Sequence, residues 1–419
     1  MKIMVIGNGA REHALAWKLK ESPQVDGLYA APGNAGTAAI AHNLDVPATD
    51  IEALARAVRQ HEIDLTVVGP EAPLASGIVD LFQSLHLPVF GPTRAATQIE
   101  SSKVFSRELM QKYGIPCAQG MVFSSYPQAR DYVKSQPIPL VIKADGLAAG
   151  KGVVVATSRE QALEVLSEFM ERKTLGAAGN RVIVEECLNG REVSLLAFTD
   201  GQNVRSMVPA CDYKRVFDSD RGPNTGGMGS YSPPGFFDQS DVEKIQRTIL
   251  QPAVQAMASE GMPYKGVLYV GLMVNPGGAK VLEFNARFGD PETQAIIPRL
   301  KTDLVDITLA VINGTLDRMA IEWSNEACVG VVLASGGYPG KYQTGFSITG
   351  LDDLDSDMLV FHAGTAMKNG VITNGGRVLT VVANGKSLKE ARNRVYANIP
   401  RIHFQGCHYR QDIAAREIA

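Results

Sequence analysis

Lys143, Glu283, Asn285 and Arg287 are the residues of this chain whose types and settings could do chemistry. Glu283 and Asn285 stand two apart in the run from Lys280 to Arg287, so on a strand they point to one face. A carboxylate and an amide oxygen placed in this way can share a hard cation such as Mg²⁺; the alternative is an edge strand with a solvated polar face. Arg287 has the same parity and adds a planar donor suited to phosphate if the strand stays regular that far. Lys143 ends the apolar run Leu140-Val141-Ile142, where an ammonium is costly unless it meets an anion. Ala144 to Gly152 follows directly, a loop of small residues whose N–H groups can approach phosphates closely, with Lys151 adding charge. It is not a Walker A loop, because Asp145 and Gly152 stand where that motif needs its first glycine and its hydroxyl. A glycine hairpin without function is the competing reading.

These residues need elements to position them. Lys2–Ile6 reads as a strand, then a Gly7-Asn8-Gly9 turn, then a helix from Ala10, an arrangement that offers N–H groups to an anion. A dinucleotide fold would want a small residue where Glu12 stands and an acid closing the second strand, but Leu28-Tyr29-Ala30 runs into Pro32-Gly33-Asn34 instead. Two more strands, Asp64–Val68 and Pro88–Phe90, also end in glycine turns, at Gly69 and Gly91. Four such turns predict a parallel α/β sheet with a small-ligand crevice along one edge. A helix around Lys103 to Met110 stops at Gly114-Ile115-Pro116. Arg181–Glu186 reads as a strand leading through Cys187-Leu188-Asn189 to another at Val193–Phe198. That connector exposes a backbone edge that could pair with a purine, and Glu185, Glu186 and Glu192 could accept from its amine or a ribose; a solvated turn is the bland alternative. Gly222 to Pro233 is nearly devoid of helix and strand formers and predicts a long ordered binding loop. Gly266–Val274 and the Glu283 strand form a hairpin across Asn275-Pro276-Gly277-Gly278. Beyond Cys328 come short strands with glycine turns and a helix from Ser387 to Tyr396, a small α+β domain in which His362 reads as a packed histidine.

Composition sets the bounds. At 419 residues the chain is too long for one core and predicts three or four domains. Its net charge of −3 gives no basic footprint for nucleic acid. No run of about 18 apolar residues could span a bilayer, and the opening residues show no signal-peptide cleavage region, which predicts a cytoplasmic protein. The five cysteines are scattered and never form a Cys-x-x-Cys pair, so they read as reduced packing residues.

The stretches Val5 to His13, Gly69 to Leu74, Lys143 to Gly152, Gly222 to Gly229 and Lys280 to Gln294 resemble, in order, the ATP-grasp ligases, and among them the phosphoribosylamine-glycine ligase (glycinamide ribonucleotide synthetase) family. The resemblance spans essentially the whole chain. It implies an N-terminal α/β substrate domain (1–103), an ATP-grasp domain (104–327) with a mobile lid at about 122–192, and a C-terminal α+β domain (328–419). It implies that Lys103 and Lys143 face the ATP phosphates beneath a loop including Gly146, Gly150, Lys151 and Gly152. Glu185, with Glu186 beside it, would accept from the adenine amine, the backbone at Leu188 would read the ring, and Glu192 would hold the ribose. Glu283 and Asn285 would bind Mg²⁺ or Mn²⁺. The amine substrate would lie near Gly9, Asn34, Gly69, Glu71 and Arg287, and glycine near Asp212, Asn224, Gly226, Gly227 and Met228. Lys143, Arg287 and Asp212 would be the catalytic residues.

The chemistry so implied joins glycine to 5-phosphoribosylamine through glycyl phosphate, with ATP as co-substrate, in purine biosynthesis. The implied partners are small molecules alone, with no nucleic acid or membrane, on a monomer or weak dimer. One departure stands out: many ATP-grasp enzymes carry a second metal-binding acid on the preceding strand, and Gly266–Val274 has no carboxylate. The alternatives are an ATP-grasp ligase with another acid or amine, an NAD-dependent oxidoreductase, and a nucleotide-binding regulatory protein.

Overall fold

The computed structural model describes residues 1–146 and 152–418. Gly150 and Lys151, both expected at the phosphates, lie outside the described residues.

The N-terminal sheet consists of β1 (Lys2–Gly7), β2 (Gly27–Pro32), β3 (His42–Asn43), β4 (Leu65–Val68) and β5 (Val89–Phe90), in the order β3-β2-β1-β4-β5. Every pairing is parallel, so the turns after β1, β2, β4 and β5 gather along one edge, as their glycines predicted. β1 and β4 are buried almost throughout, the expected state of central parallel strands covered on both faces.

A second sheet is closed within a short length of chain. β6 (Gly120–Phe123), β7 (Leu140–Ala144), β8 (Val153–Ala156) and β9 (Val182–Glu186) pair in the order β6-β9-β7-β8. Helices Tyr126–Ser135 and Arg159–Met170 pack on it around Phe123, Ile142, Leu166, Phe169 and Val184.

The chain continues through β10 (Arg191–Asp200), β11 (Val204–Ser206), β12 (Cys211–Asp212), β13 (Arg215–Phe217), β14 (Arg221–Asn224), β15 (Gly229–Ser232), β16 (Lys265–Asn275) and β17 (Gly278–Asn285). β11, β10, β16 and β17 form an antiparallel sheet, and the helical run Gln239–Ser259 packs into its core. β18 (Ala327–Ala334), β19 (Leu359–His362), the hairpin of β20 (Thr365–Met367) and β21 (Val371–Thr373), and β22 (Arg377–Gly385) complete the strands, and the helix Leu388–Asn398 covers β22 and β18.

Two expectations are corrected here. Gly222 to Pro233 is not a long structureless loop: β14 pairs with β13, and β15 lies inside the sheet β12-β15-β18-β22-β19. Gly229 lies against Gly330, where a Cβ would meet the Gly330 carbonyl oxygen at 2.7 Å. The hydroxyls of Ser230 and Ser232 donate to the Pro291 and Pro209 carbonyls at 2.7 and 2.6 Å. A strand made of small and hydroxylated residues suits a place where neighbouring backbone comes close, and such a place cannot be read from local propensity. The second correction concerns Arg287. β17 ends at Asn285, and a register shift within it pairs Leu272 with Val281 but Gly271 with Glu283. The extra residue lets Val281 and Phe284, of opposite parity, both enter the core, while Leu282 faces the cavity.

The terminal domains meet directly. His13, on the helix Ala10–Lys20, accepts through Nδ1 a hydrogen bond from the His362 backbone N–H at 2.9 Å. Both rings are buried, and burial lowers the His13 pKa to about 3 and that of His362 to about 4, so both are neutral at pH 7.

Candidate active site

A cavity of about 500 Å³ opens where the N-terminal turns, the β6–β9 sheet, β17 and the C-terminal domain converge. Among the residues singled out from sequence, Lys103, Lys143, Gly152, Glu185, Asp212, Gly226, Glu71, Glu283, Asn285 and Arg287 line it.

Lys143 reaches the cavity from β7, and its cost in an apolar strand is met: Nζ pairs with Glu185 and donates to the Leu282 carbonyl at 2.9 Å. Glu185 is itself buried and accepts from Arg107 Nη1 at 3.0 Å. Arg107 also donates to the carbonyls of Ala118 at 3.2 Å and Gly120 at 2.6 Å. Its Nε has no partner among the described residues. Sequence reading passed over Arg107, because a single arginine on a helix facing no visible acid reads as surface.

Lys103 Nζ donates to the Gly146 carbonyl at 3.0 Å. Asp145 Oδ1 accepts from Val104 N at 3.1 Å and from Ser102 Oγ at 2.9 Å. Asp145 therefore supplies a cap to the helix Lys103–Lys112, which ties the start of the glycine loop to the base of the cavity.

On β17, neither the Glu283 carboxylate nor the Asn285 amide has a hydrogen-bond partner among the described residues, and both line the cavity. Burial raises the Glu283 pKa, but Lys214, Lys143, Lys103 and Arg287 outweigh it and hold the group below the ordinary carboxylate range. An anionic carboxylate beside a neutral amide oxygen, both free, is a donor set that fits a hard divalent cation. No cluster of three or more His, Cys, Asp or Glu suited to a metal exists among the described residues, so the rest of the coordination sphere falls to substrate oxygens and water. On β16, where a second acid was missing, Tyr269 faces the cavity instead. Its hydroxyl lies 3.1 Å from Glu292 Oε1, which also accepts from Ser194 at 3.0 Å.

Asp212 and Lys214 enter from beneath. Burial, reinforced by Glu292, Glu192 and Glu283 and opposed by Lys214, pushes the Asp212 pKa well above its ordinary value. Lys214 pairs with Glu192, and the attraction of Glu192 and Asp212 outweighs burial, keeping it protonated. Arg287 does not wait free for an anion: Nε donates to Glu71 at 3.1 Å and Nη2 lies 3.3 Å from Glu100. Glu100 also accepts from Ala286 N at 2.7 Å, fixing the end of β17.

Arg377 and Tyr338 come from the C-terminal domain. Arg377 Nη1 donates to the carbonyls of Gly226 at 2.7 Å and Asp290 at 3.1 Å, and Nη2 to Asp290 Oδ2 at 3.0 Å. Tyr338 accepts from Gly226 N at 3.0 Å. Gly227 packs against Pro291 with positive φ, where a Cβ would lie 2.3 Å from the proline ring. Arg377, Tyr338, Lys214, Arg11 and Glu292 all line the cavity and escaped sequence reading, because the contacts that single them out join distant parts of the chain.

The remaining expected residues stand outside the lining. Gly9 and Gly69 wall in Glu12, which is buried and accepts from Gly9 N at 2.7 Å and from Arg11. A Cβ at Gly69 would meet a Glu12 carboxylate oxygen at 2.1 Å. The carboxylate thus occupies the glycine turn, where a dinucleotide pyrophosphate would need room and positive potential. Asn34 is buried: Nδ2 donates to Asn8 O at 2.9 Å and His362 O at 2.7 Å, and Oδ1 accepts from Gly36 N and Thr37 N. Met228 is fully buried, Asn224 is exposed on β14, and Leu188 sits in the β9–β10 connector. Glu186 is occupied by Lys280 at 2.7 Å and Gln119 N at 2.9 Å.

Comparison with known proteins agrees with this architecture. Three models match in succession: the N domain of phosphoribosylglycinamide synthetase over residues 1–100, its ATP-grasp (A) domain over 101–293 and its C domain over 328–416. A phosphoribosylamine–glycine ligase of Caldanaerobacter subterraneus subsp. tengcongensis is 49% identical over 416 residues, covering 99% of this chain and 100% of that protein. The trifunctional purine biosynthetic protein adenosine-3 of Gallus gallus is 50% identical over 100% of this chain and 42% of its own length. The crystal structure of a phosphoribosylamine–glycine ligase from Thermotoga maritima superposes with a TM-score of 0.88 at 35% identity, over 99% of this chain and 100% of that one. The chain belongs to the phosphoribosylglycinamide synthetase family of ATP-grasp ligases.

Proposed function

We propose that the cavity condenses glycine with 5-phosphoribosylamine while ATP is cleaved to ADP and phosphate, the reaction named by the relatives in the same family. The observation that carries the site assignment is that Lys103, Lys143, Glu283 and Asn285 line one cavity. Cations for phosphate oxygens and hard donors for a divalent ion are what phosphoryl transfer needs, since positioning and charge stabilisation supply most of its catalysis.

A carboxylate oxygen of glycine attacks the γ-phosphorus, the bond to the β-phosphate oxygen breaks, and ADP departs. The amine nitrogen of phosphoribosylamine then attacks the acyl carbon, the C–O bond to phosphate breaks, and the nitrogen gives up a proton. Lys103 and Lys143 stabilise negative charge on the transferring group. Glu185, held by Arg107 and Lys143, faces the adenine, and Glu192 turns from Lys214 to the ribose. Asp212 borders the ammonium of glycine together with Gly226, and that positive charge offsets the burial and neighbouring acids that otherwise favour its neutral form. Arg287, anchored by Glu71 and Glu100, sits between the acyl and amine sides. Glu283 and Asn285 would hold Mg²⁺ or Mn²⁺, which when bound offsets the charge of the phosphates. Residues 122–192 close as a lid, and exclusion of water protects the acyl phosphate. A cytoplasmic monomer or weak dimer belongs to the same reading.

The test is ADP release. It should require a divalent metal, glycine and phosphoribosylamine generated in situ. Equal release with alanine or serine in place of glycine would overturn the assignment of the acid.

A further inference from the structure

Asp212 and Lys214 reach the cavity where β12 hands over to a two-stranded ribbon; Tyr213 is bonded through its backbone to Gly229 O and Met228 N, and the Lys214 carbonyl accepts from Thr225 N. β12 gives its sheet two residues, and β13 and β14 form a ribbon joined to no other strand among the described residues. A two-stranded ribbon is marginal in water by itself. His408 Nε2, 2.9 Å from the Val216 carbonyl, and residues 410–417 hold it in place. Arg410, whose side chain is wholly buried, donates through Nη1 to the Arg215 carbonyl at 3.0 Å and to Asp220 Oδ1 at 2.9 Å. Gln411 N donates to Asp218 Oδ1 at 2.8 Å, and Asp412 Oδ2 accepts from Ser219 N at 2.9 Å. Arg416 pairs with Asp220.

Between Asp212 and Lys214 stands Tyr213, and the guanidinium carbons of Arg410 and Arg416 lie 4.6 and 6.0 Å from its ring centroid. Glu417 fastens the other end. Its carboxylate, 5% exposed, pairs with Arg191 and accepts from Tyr231 Oη at 3.3 Å and Gly235 N at 2.9 Å. Arg191 immediately precedes Glu192, the partner of Lys214. The same short segment therefore grips the ribbon on one side of Lys214 and the strand carrying its counter-ion on the other.

We propose that Arg410–Glu417 is a strap of positioning residues that sets Asp212 and Lys214 in register with the cavity, a role that rests on the catalytic reading above. None of the strap residues touches the cavity, so the strap acts through Tyr213 and Arg191.

The experiment uses the full chain carrying Arg416→Ala and Glu417→Ala together, with Arg416→Lys as the conservative control. The expected result at 25 °C is a kcat lowered ~10- to 100-fold, the scale of a misplaced positioning group. The KM for ATP should stay within about twofold in Arg416→Ala alone, which loosens only the ribbon, and rise further in the double variant, which also frees Arg191 beside Glu192. Hydrogen exchange in residues 213–224 should quicken, and Arg416→Lys should retain most of the rate. A lowered melting temperature with unchanged kcat would overturn the proposal, since a strap that only stabilised the fold would behave that way. If the double variant does not fold, Arg416→Ala alone is read, its side chain being 60% exposed; faster exchange in the ribbon with unchanged kcat would again refute positioning. Loss of glycine dependence in the unmodified chain would sink the catalytic reading instead, leaving the exchange difference to report on the strap.

Discussion

Replacing Arg107 by methionine keeps an unbranched side chain of similar reach and removes the guanidinium. Three hydrogen bonds go with it: to Glu185 at 3.0 Å, to the Ala118 carbonyl at 3.2 Å and to the Gly120 carbonyl at 2.6 Å. Arg107 and Glu185 have side-chain exposures of 3% and 8%, so solvent cannot stand in for the lost partner. Removing one member of a buried pair typically costs about 3–5 kcal/mol. Lys143 remains on the other Glu185 oxygen and pulls the figure toward the lower bound, while two stranded carbonyls at ~1 kcal/mol each pull it up. The expected loss is therefore about 3–5 kcal/mol in urea unfolding, with the denaturant slope unchanged. Loosening Glu185 also frees Lys143, so ATP affinity should fall by roughly tenfold, equivalent to ~1.4 kcal/mol. A double-mutant cycle with Glu185→Gln isolates the pair and should return a coupling above ~1 kcal/mol. A stability change below ~1 kcal/mol together with zero coupling would refute the view that Arg107 holds Glu185 in place.

Glu283→Gln should lower the unfolding midpoint modestly, since four cations favour its charge, and reduce turnover of the folded protein by at least ~100-fold, because a charged donor facing the phosphates is replaced by a neutral one; near-normal rates at saturating Mg²⁺ would remove Glu283 from the metal site. Arg377→Met and Tyr338→Phe should raise the KM for glycine with little effect on ATP affinity, since both side chains grip Gly226 rather than the nucleotide wall; equal changes for both substrates would contradict that division. Gly69→Ala forces a methyl group onto Glu12, which is tethered through both oxygens and cannot swing aside, and a destabilisation of about 2 kcal/mol should appear in thermal or urea unfolding. His13 and His362 give a pH signature. Their folded pKa values, about 3 and about 4, lie below the ordinary histidine value of 6.5, so the unfolded chain binds more protons under acid conditions. Their contribution is full above pH 6.5 and is lost as pH falls toward about 4 for His362 and about 3 for His13, at up to ~1.4 kcal/mol per pH unit for each ring. Urea unfolding at pH 7.5 and 5.5 should show the loss, and His362→Asn should flatten it; equal slopes for the two proteins would refute the buried neutral pair.

The parallel sheet and its glycine edge were legible because each strand and turn is coded within a few residues. Glu283 and Asn285 were legible because parity on one strand is local as well. Arg107, Arg377 and Lys214 were not, since what singles each one out is a partner far away in sequence: Glu185, Asp290 and Glu192. Glu12 was read as an obstacle to one ligand, whereas its packed carboxylate is a structural part of the turn. β15 escaped for a related reason. Its Gly-Ser-Tyr-Ser composition becomes strand-like only beside β18, about a hundred residues later.

The four-stranded sheet of residues 120–186 differs from the others in what it owns. Its buried cluster draws only on residues 123–184, whereas the sheets beneath it share hydrophobic clusters with the C-terminal domain on one side and the N-terminal domain on the other. Those shared cores lock three sheets into a single chassis, in which displacing one sheet would expose apolar surface on another. The 120–186 unit, which carries Lys143, Glu185 and Asp145, keeps its buried interior within itself, the property that the proposed lid motion requires. Polar ties join that unit to the chassis: Lys143 to Leu282, Asp145 to the helix Lys103–Lys112, and the buried Arg107–Glu185 pair. A lid motion of the kind proposed above would have to exchange the first two with solvent or nucleotide and either carry the helix along or break the third, the costly one.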